Sequence, residues 1–244
     1  MNTVKYGEYV VKSRDVDFKD DIKISALVDV FEDLVAENSK DLKIDIDSVA
    51  EYGLKWVITK ISAVVKKQLK SHDSIKIATW PKKPSAVKFM RSFKADDENG
   101  VRAVDISSVW CVLSRETDKI MPASKVIMPD GAEFSDENTD TAAAPHALSF
   151  TDGTLVFDYK FVYGDIDGNR HVNNVAYIRL AENSLSTSEY AGKRLAAFEA
   201  NFLSQSYEGD EAFVYKKTDG NTVFVSIRVK EKEVFRMAID FETL

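Results

Sequence analysis

Residues 167 to 174 concentrate side chains that suit hydrolytic chemistry. The cluster consists of Asp167, Asn169, His171, Asn173 and Asn174. Aspartate can act as a base or hold a water, histidine can carry a proton near neutral pH, and asparagine can orient either group or donate to an oxyanion. The cluster lies between a strand-like stretch and a helix-like stretch, a junction where hydrolytic sites are often built. Because the same residue types also make turns and helix N-caps, turn chemistry is the alternative interpretation.

The composition is that of a globular protein with an acidic surface. Its 244 residues are 44% apolar and 30% charged, with a net charge of -7, which is enough for one large domain or two of ordinary size. The negative charge argues against a nucleic-acid or anionic-membrane surface, and no apolar run approaches the ~18 residues of a membrane span. The first six residues lack the apolar core of a signal peptide, so we expect a cytoplasmic location.

Metal and disulfide chemistry find little support in the sequence. Cys111 is the only cysteine, which excludes an internal disulfide and a cysteine-based metal site. The three histidines, at 72, 146 and 171, are scattered and offer no His-x-x-x-His pattern. We therefore expect neither a metal nor a cofactor. Cys111 lies in an alternating strand pattern and is expected to be a core thiol.

Two stretches of the chain resemble each other, 21–39 and 165–184. Both open on Asp-Ile and close on Ala-Glu-Asn-Ser. The first has the apolar spacing of an amphipathic helix, with Ser25 placed to cap it. The second keeps helical spacing, with Asn173 or Asn174 as the expected cap. The polar cluster has no counterpart in the first stretch, so we expect one half to supply packing and the other to carry the chemistry.

A run of alternating apolar and polar residues follows each helix, which is typical of antiparallel strands. The expected strands cover 56–65, 75–80, 87–95 and 101–113, and then 196–207, 212–216, 222–229 and 234–241. In this alignment Gln68 and Gln205 fall at matching points.

The acidic, alanine-rich stretch 135–145 is typical of a linker between the two halves. We expect an N-terminal hotdog over 1–134, a linker over 135–147 and a C-terminal hotdog over 148–244 that carries the catalytic residues. The predicted fold is therefore α+β, a tandem double hotdog. Each half is a long helix wrapped by an antiparallel sheet, and the two halves form an internal pseudo-dimer.

The string that runs from Asp167-x-Asn-x-His to Val-x-Tyr177-Ile resembles the signature of the acyl-acyl-carrier-protein thioesterases, double-hotdog enzymes of plants and bacteria. First-half strings resemble strands of the same family: Gly53-Leu-x-Trp56-Val57, Thr79-Trp80-Pro81 and Phe89-x-Arg91-x-Phe93. The likeness runs from about residue 5 to about residue 240.

The resemblance implies hydrolysis of the thioester of a fatty acyl-acyl carrier protein, which releases the free fatty acid and ends chain elongation. The implied partner is the carrier protein with its phosphopantetheine-linked acyl chain, and a homodimer is compatible with the sequence. Two alternatives are a hotdog thioesterase that acts on coenzyme A esters and a non-catalytic hotdog protein that binds acyl groups.

The resemblance also implies that Asp167, Asn169 and His171 form the catalytic set. The family pattern adds a glutamate on the following central strand and, in many plant members, a cysteine beside it. These two positions fall on Gln205 and Ser206. Since Gln205 can orient a group but cannot take a proton, Asp167 becomes the expected base or nucleophile.

The remaining roles follow from the chemistry of thioester hydrolysis. Asn169 is expected to orient the water or a carboxylate, and His171 to donate to the carbonyl oxygen or the leaving sulfur. The backbone N–H groups near Asn174 and Val175, at the start of the second helix, are expected to face the oxyanion.

Lys66, Lys67 and Lys70 form a basic patch on this acidic protein. A solvated strand face is the usual explanation of such a run. The functional interpretation is a docking surface for an acidic carrier protein, because two acidic proteins need a local attraction of this kind.

Overall fold

The computed structural model describes residues 2–139 and 153–244, and it builds the two halves of the chain from the same order of elements. The first half begins with strand β1 (Lys5–Val10), helix α1 (Ile24–Asp41) and the short helix α2 (Ile46–Ala50). Its remaining strands are β2 (Leu54–Val65), β3 (Ser74–Pro81), β4 (Phe89–Asp96), β5 (Arg102–Ser114) and β6 (Ile120–Met121).

The second half repeats this order. It begins with strand β7 (Thr154–Lys160), helix α3 (Asn174–Asn183) and the short helix α4 (Thr187–Tyr190). Its remaining strands are β8 (Lys193–Phe202), β9 (Glu211–Asp219), β10 (Thr222–Val229) and β11 (Lys232–Thr243).

The strands of the described residues form one antiparallel sheet. Its order is β1-β3-β4-β5-β2-β8-β11-β10-β9-β7, with β6 paired to β5. The halves join where β2 pairs with β8, with Ile61 opposite Ala200 and Ser62 opposite Glu199. Outward from this junction, equivalent strands follow in the same order on both sides. The prediction of a double hotdog with an internal pseudo-dimer is therefore confirmed.

A continuous apolar core fixes both long helices against the sheet. In α1, Leu27 and Phe31 are fully buried, and the Phe31 ring meets Phe93 of β4 edge-on at 5.7 Å. In α3, Ile178 and Ala181 are fully buried in the same core. Full burial of such side chains stabilises the fold by about 1.5–3 kcal/mol for each of the larger ones. None of the helices in the described part combines the length and apolarity that crossing a bilayer requires.

Two local predictions differ from the structure. Ser25 does not cap α1, because it is the second residue of the helix and Lys23 takes the N-cap position without a side-chain hydrogen bond. The strand expected over 196–207 ends at Phe202, after which the N–H groups of Leu203 and Ser204 both donate to Val234 O. The chain therefore leaves the sheet before Gln205.

The expected linker, 135–147, lies partly outside the described residues, since 140–147 are not described. Its first residues lie against the first half. Glu137 accepts a hydrogen bond from Lys94 Nζ at 2.7 Å through its carboxylate and one from Trp80 Nε1 at 3.2 Å through its carbonyl. The expected bounds of the two hotdogs, 1–134 and 148–244, stay predictions.

Candidate active site

A tight loop between β7 and α3 presents the polar cluster. The N–H of Asp167 donates to His171 O at 2.8 Å, and the N–H of Arg170 donates to Asp167 O at 3.0 Å. Asp167 Oδ1 accepts the N–H groups of Asn169 at 2.8 Å and His171 at 3.1 Å. Arg170 adopts a left-handed φ of 63° where the loop reverses. Asp167 therefore holds the loop that carries Asn169 and His171.

The first half contains the same loop with different side chains. The N–H of Asp17 donates to Asp21 O at 2.8 Å, and Asp17 Oδ1 accepts the N–H groups of Lys19 at 2.8 Å and Asp21 at 3.0 Å. The structural counterparts of Asn169 and His171 are thus Lys19 and Asp21. The sequence comparison of 21–39 with 165–184 therefore aligns the wrong residues. It pairs Asp21 with Asp165, whereas in the structure Asp21 is the counterpart of His171.

Most of the predicted site residues meet in one cavity of about 910 Å³. Asp167, Asn169, His171, Asn174 and Gln205 all line it. Apolar side chains of the first half line it too: Ile44, Trp56, Val57, Phe89, Trp110 and Met128. Its volume is within the range of small-molecule sites. Both halves therefore build one site in which a polar cluster adjoins an apolar wall.

Gln205 reaches the cavity because the segment after β8 is hydrogen-bonded to the loop that carries Asp167 and His171. The N–H of Val172 donates to Ser206 O at 2.9 Å. Ser206 itself is 0% exposed, so its hydroxyl is not a nucleophile that substrate can reach. Cys111 contributes to the cavity wall but is buried as predicted, and burial raises the pKa of its thiol. A cysteine-based mechanism is therefore disfavoured.

The start of α3 corrects one predicted role and leaves another as a prediction. Asn173 is the N-cap, and its Oδ1 accepts the N–H of Val175 at 2.8 Å. The Val175 amide is therefore engaged and does not face an oxyanion, contrary to its predicted role. Asn174 is the first helical residue, where the N–H has no intrahelical partner, and it lines the cavity.

Glu32 of α1 is a site residue that the sequence analysis missed. Its Oε1 accepts a hydrogen bond from Asn174 Nδ2 at 3.1 Å, and its side chain lines the same cavity. Burial raises the pKa of Glu32 to about 7. The available signal was its place on the helix, three residues before Val35 and four after Val28, which are both buried. An acidic residue on an otherwise apolar helix face was the clue.

The surroundings of His171 favour its neutral form. Burial lowers the pKa of its imidazole most strongly, and Lys55 lowers it further, whereas Asp167 and Asp118 raise it. Its ring meets Tyr207 edge-on, with centroids 5.3 Å apart. A neutral imidazole carries one N–H donor and one acceptor, so His171 can donate a hydrogen bond without bringing a positive charge.

Arg91, part of a predicted strand motif, adds a cation to the cavity wall. It is buried, it donates through Nη1 to Asn38 Oδ1, and Nη2 lies 3.5 Å from Ser39 Oγ. Burial lowers the pKa of Arg91 to about 10, which still leaves it charged at neutral pH. Among the described residues no carboxylate pairs with it, so part of the wall is electropositive.

The lysine patch is not placed as the docking prediction requires. Each lysine pairs with a carboxylate: Lys66 with Asp105 at 2.9 Å, Lys67 with Asp97 at 2.5 Å and Lys70 with Asp21 at 2.6 Å. None of the three lines the 910 Å³ cavity. These pairs neutralise the patch locally, and they lie beyond the end of β2 opposite to the end that lines the cavity. The predicted docking role of Lys66, Lys67 and Lys70 is therefore not supported.

A smaller cavity of about 340 Å³ is the counterpart of the site in the first half. Asp17, Lys19, Asp21, Gln68 and Glu182 are among its lining residues. Its polar groups are engaged with protein: Lys19 Nζ donates to Lys193 O at 2.6 Å, and Gln68 Nε2 donates to Leu195 O at 2.7 Å. This arrangement leaves the 910 Å³ cavity as the better candidate for catalysis.

Comparison with known structures agrees with this fold. A crystal structure of an acyl-ACP thioesterase from Bacteroides thetaiotaomicron superposes with a TM-score of 0.88, at 22% identity and with 98% of each chain covered. The 12:0-ACP thioesterase of Umbellularia californica superposes with a TM-score of 0.82, at 13% identity over 99% of this chain and 98% of that one. Both likenesses establish the double-hotdog fold.

Sequence comparison identifies the family. The chloroplastic acyl-[acyl-carrier-protein] hydrolase FATB3 of Cuphea viscosissima is 22% identical over 202 residues, or 77% of this chain. The chain spans about half the length of that curated relative, 48%. The model of the acyl-ACP thioesterase N-terminal domain matches residues 3–129, and that of the C-terminal domain matches residues 151–240. Since these two matches cover most of the sequence, the chain belongs to the acyl-ACP thioesterase family.

Proposed function

We propose that this protein hydrolyses the thioester of fatty acyl-acyl carrier protein, releasing the free fatty acid and so ending chain elongation. One observation carries the proposal: Asp167, Asn169, His171 and Gln205 open together onto an apolar-walled cavity built by both halves. An acyl chain needs the apolar wall, and a thioester carbonyl needs the polar cluster. Membership in the acyl-ACP thioesterase family supports the same substrate class.

The chemistry asked of the site is modest, because a thiolate is a good leaving group. A water must be oriented and deprotonated, and the developing oxyanion must receive hydrogen bonds. Asp167 and Asn169 are placed to orient the water, and Gln205 lies in the same wall. The neutral imidazole of His171 is placed to donate to the carbonyl oxygen or the leaving sulfur. The N–H of Asn174, at the positive end of the α3 dipole, is a second donor to the oxyanion.

The carrier protein is the proposed partner, and the cytoplasm is the proposed location. The phosphopantetheine arm occurs in both acyl carrier protein and coenzyme A, so the cavity alone accepts either thioester. The internal pseudo-dimer already supplies both walls of the site, so the proposed activity does not need a second copy. A homodimer stays a prediction that the mass in solution would test.

The test is thiol release from matched thioesters. Dodecanoyl-carrier protein and dodecanoyl-coenzyme A would be hydrolysed in parallel, followed by a series of shorter and longer chains. We expect a higher kcat/KM on the carrier-protein thioester. Equal or faster hydrolysis of the coenzyme A ester would move the substrate class to coenzyme A esters. Acyl binding without hydrolysis of either ester would identify a non-catalytic binding protein.

A further inference from the structure

The position of Glu32 indicates a functional role as well as a packing role. It lies in the first half of the chain, yet it lines the same cavity as Asp167 and His171. Gln205 lines this cavity as well, but its amide cannot take a proton. Asp167 already accepts two backbone hydrogen bonds through Oδ1. A second carboxyl group in this cavity therefore meets a chemical need that Gln205 cannot meet.

The pseudo-symmetric partner of Glu32 shows what this position does when it is structural. Glu182 occupies the equivalent place in α3, and it accepts the N–H groups of Ile24 at 2.6 Å and Ser25 at 3.2 Å. It caps α1, because the N-cap residue Lys23 has no acceptor to offer. At the start of α3 the Asn173 carboxamide performs this function instead.

Glu32 therefore does not cap α3. It accepts a hydrogen bond from the side chain of Asn174, at 3.1 Å, rather than from the backbone of the helix. The two equivalent glutamates thus have different surroundings. Glu182 caps α1 beside the smaller cavity, whereas the Glu32 carboxylate lines the 910 Å³ cavity.

We propose that Glu32 is the proton acceptor of the hydrolysis, an inference that rests on the proposed thioesterase activity. The water oxygen forms a bond to the thioester carbonyl carbon while one water proton passes to the Glu32 carboxylate. The carbon–sulfur bond then breaks, and the leaving thiolate takes that proton from the Glu32 carboxyl group. The products are the fatty acid and the free thiol, and Glu32 returns as a carboxylate. In this scheme Asp167 orients the water.

The electrostatics of the site suit this role. Asp29 and Asp33 on its own helix and Asp167 on the loop before α3 act electrostatically on the Glu32 carboxyl, and Asn174 on α3 donates a hydrogen bond to it. Burial raises the pKa of Glu32 most strongly, the Asn174 hydrogen bond lowers it, the three carboxylates raise it further, and the result is a pKa of about 7. A base works best when its pKa lies near the operating pH.

The first experiment measures kcat on dodecanoyl-coenzyme A and dodecanoyl-carrier protein from pH 5.5 to 9. For the wild type we expect kcat to rise with a midpoint near pH 7. Glu32→Gln should lower kcat by about 10²–10⁴-fold, the usual effect of losing a base, and remove this rise. The matched control is Glu182→Gln, which should keep both kcat and the midpoint. Circular dichroism melting would show that each variant is folded.

A second experiment measures the titration of the Glu32 carboxyl group directly. Carbon-13 NMR of the glutamate carboxyls, with Glu32→Gln to assign the resonance, should give a midpoint near pH 7. Asn174→Ala removes the hydrogen bond that lowers the pKa of Glu32, so it should move both the NMR midpoint and the kcat midpoint to higher pH.

The outcomes separate the two proposals. If the wild type hydrolyses neither thioester, the proposed function fails and the base role fails with it. If the wild type is active while Glu32→Gln keeps its rate and its pH profile, the base role alone is overturned. An NMR midpoint near the ordinary glutamate value of ~4.3 would also overturn it.

Discussion

Lys60 of β2 and Glu199 of β8 form an ion pair across the strand junction that joins the two halves. Glu199 is 3% exposed, and its other carboxylate oxygen accepts a hydrogen bond from Asn201 Nδ2 at 2.8 Å. A buried carboxylate is costly unless it is paired. This pair therefore helps to hold in register the junction on which the shared cavity depends.

Removal of the lysine from this pair should destabilise the protein. Lys60→Met leaves Glu199 buried without its cation, and we expect the free energy of unfolding to fall by about 1–3 kcal/mol in urea titration. The double variant Lys60→Met/Glu199→Met should recover most of the loss, because a buried pair can be replaced by apolar side chains. A single variant as stable as the wild type would show that the pair contributes nothing to the junction.

Asp167→Asn should slow turnover and leave stability nearly unchanged. The asparagine carbonyl can still accept the two backbone hydrogen bonds of the loop, but it loses the charge that orients the water. One charge-assisted hydrogen bond is worth ~1.5–3 kcal/mol, which corresponds to roughly 10- to 150-fold in kcat at ~1.36 kcal/mol per decade. The control is Asp17→Asn, which changes the same loop in the first half and should leave kcat unaltered.

The size of the loss of kcat in Asp167→Asn also shows which residue accepts the proton from water. A loss well beyond 10³-fold in Asp167→Asn, with Glu32→Gln nearly active, would make Asp167 the base. Turnover within twofold of the wild type would remove Asp167 from the mechanism.

Gln205→Ala tests whether the side-chain amide of Gln205 is functional. If Gln205 donates to a water or carboxylate, its loss should lower kcat by roughly 10- to 150-fold and change KM less. Gln68→Ala is the matched control, since Gln68 lines the smaller cavity of the first half. It should affect melting temperature rather than turnover. Equal rates in the two variants would place Gln205 outside the chemistry.

Much of the architecture could be predicted because it follows from the spacing of apolar residues along the chain. The apolar spacing of α1, the strand alternation and the turn residues of the catalytic loop each depend on neighbours within one element. Asn173 was a predicted cap for the same reason. These features led to the double hotdog without any knowledge of long-range contacts.

The parts that were missed depend on contacts between distant residues. Strand β1 contains Gly7, which weakens a strand pattern. In the structure a Cβ there would lie 3.2 Å from Leu34 Cδ1 and 3.3 Å from Ile77 Cγ1. Glu32 likewise gains its role from Asn174, in the other half of the chain. Neither contact can be inferred from the residues that neighbour Gly7 or Glu32 along the chain.

His171→Gln separates donation of a hydrogen bond from titration. The pKa of His171 is lowered, so the folded protein favours the neutral ring, and its contribution to stability is present above pH ~6.5 and is lost as the pH falls through the folded value. Because burial lowers the pKa of His171, we expect the rise of kcat near pH 7 to belong to another group. The variant should lose about 10²–10³-fold in kcat, the usual cost of one oxyanion donor, and keep the rise near pH 7. The measurement is kcat on dodecanoyl-coenzyme A across pH 5.5 to 9. If the rise disappears in His171→Gln and persists in Glu32→Gln, the imidazole is the titrating base.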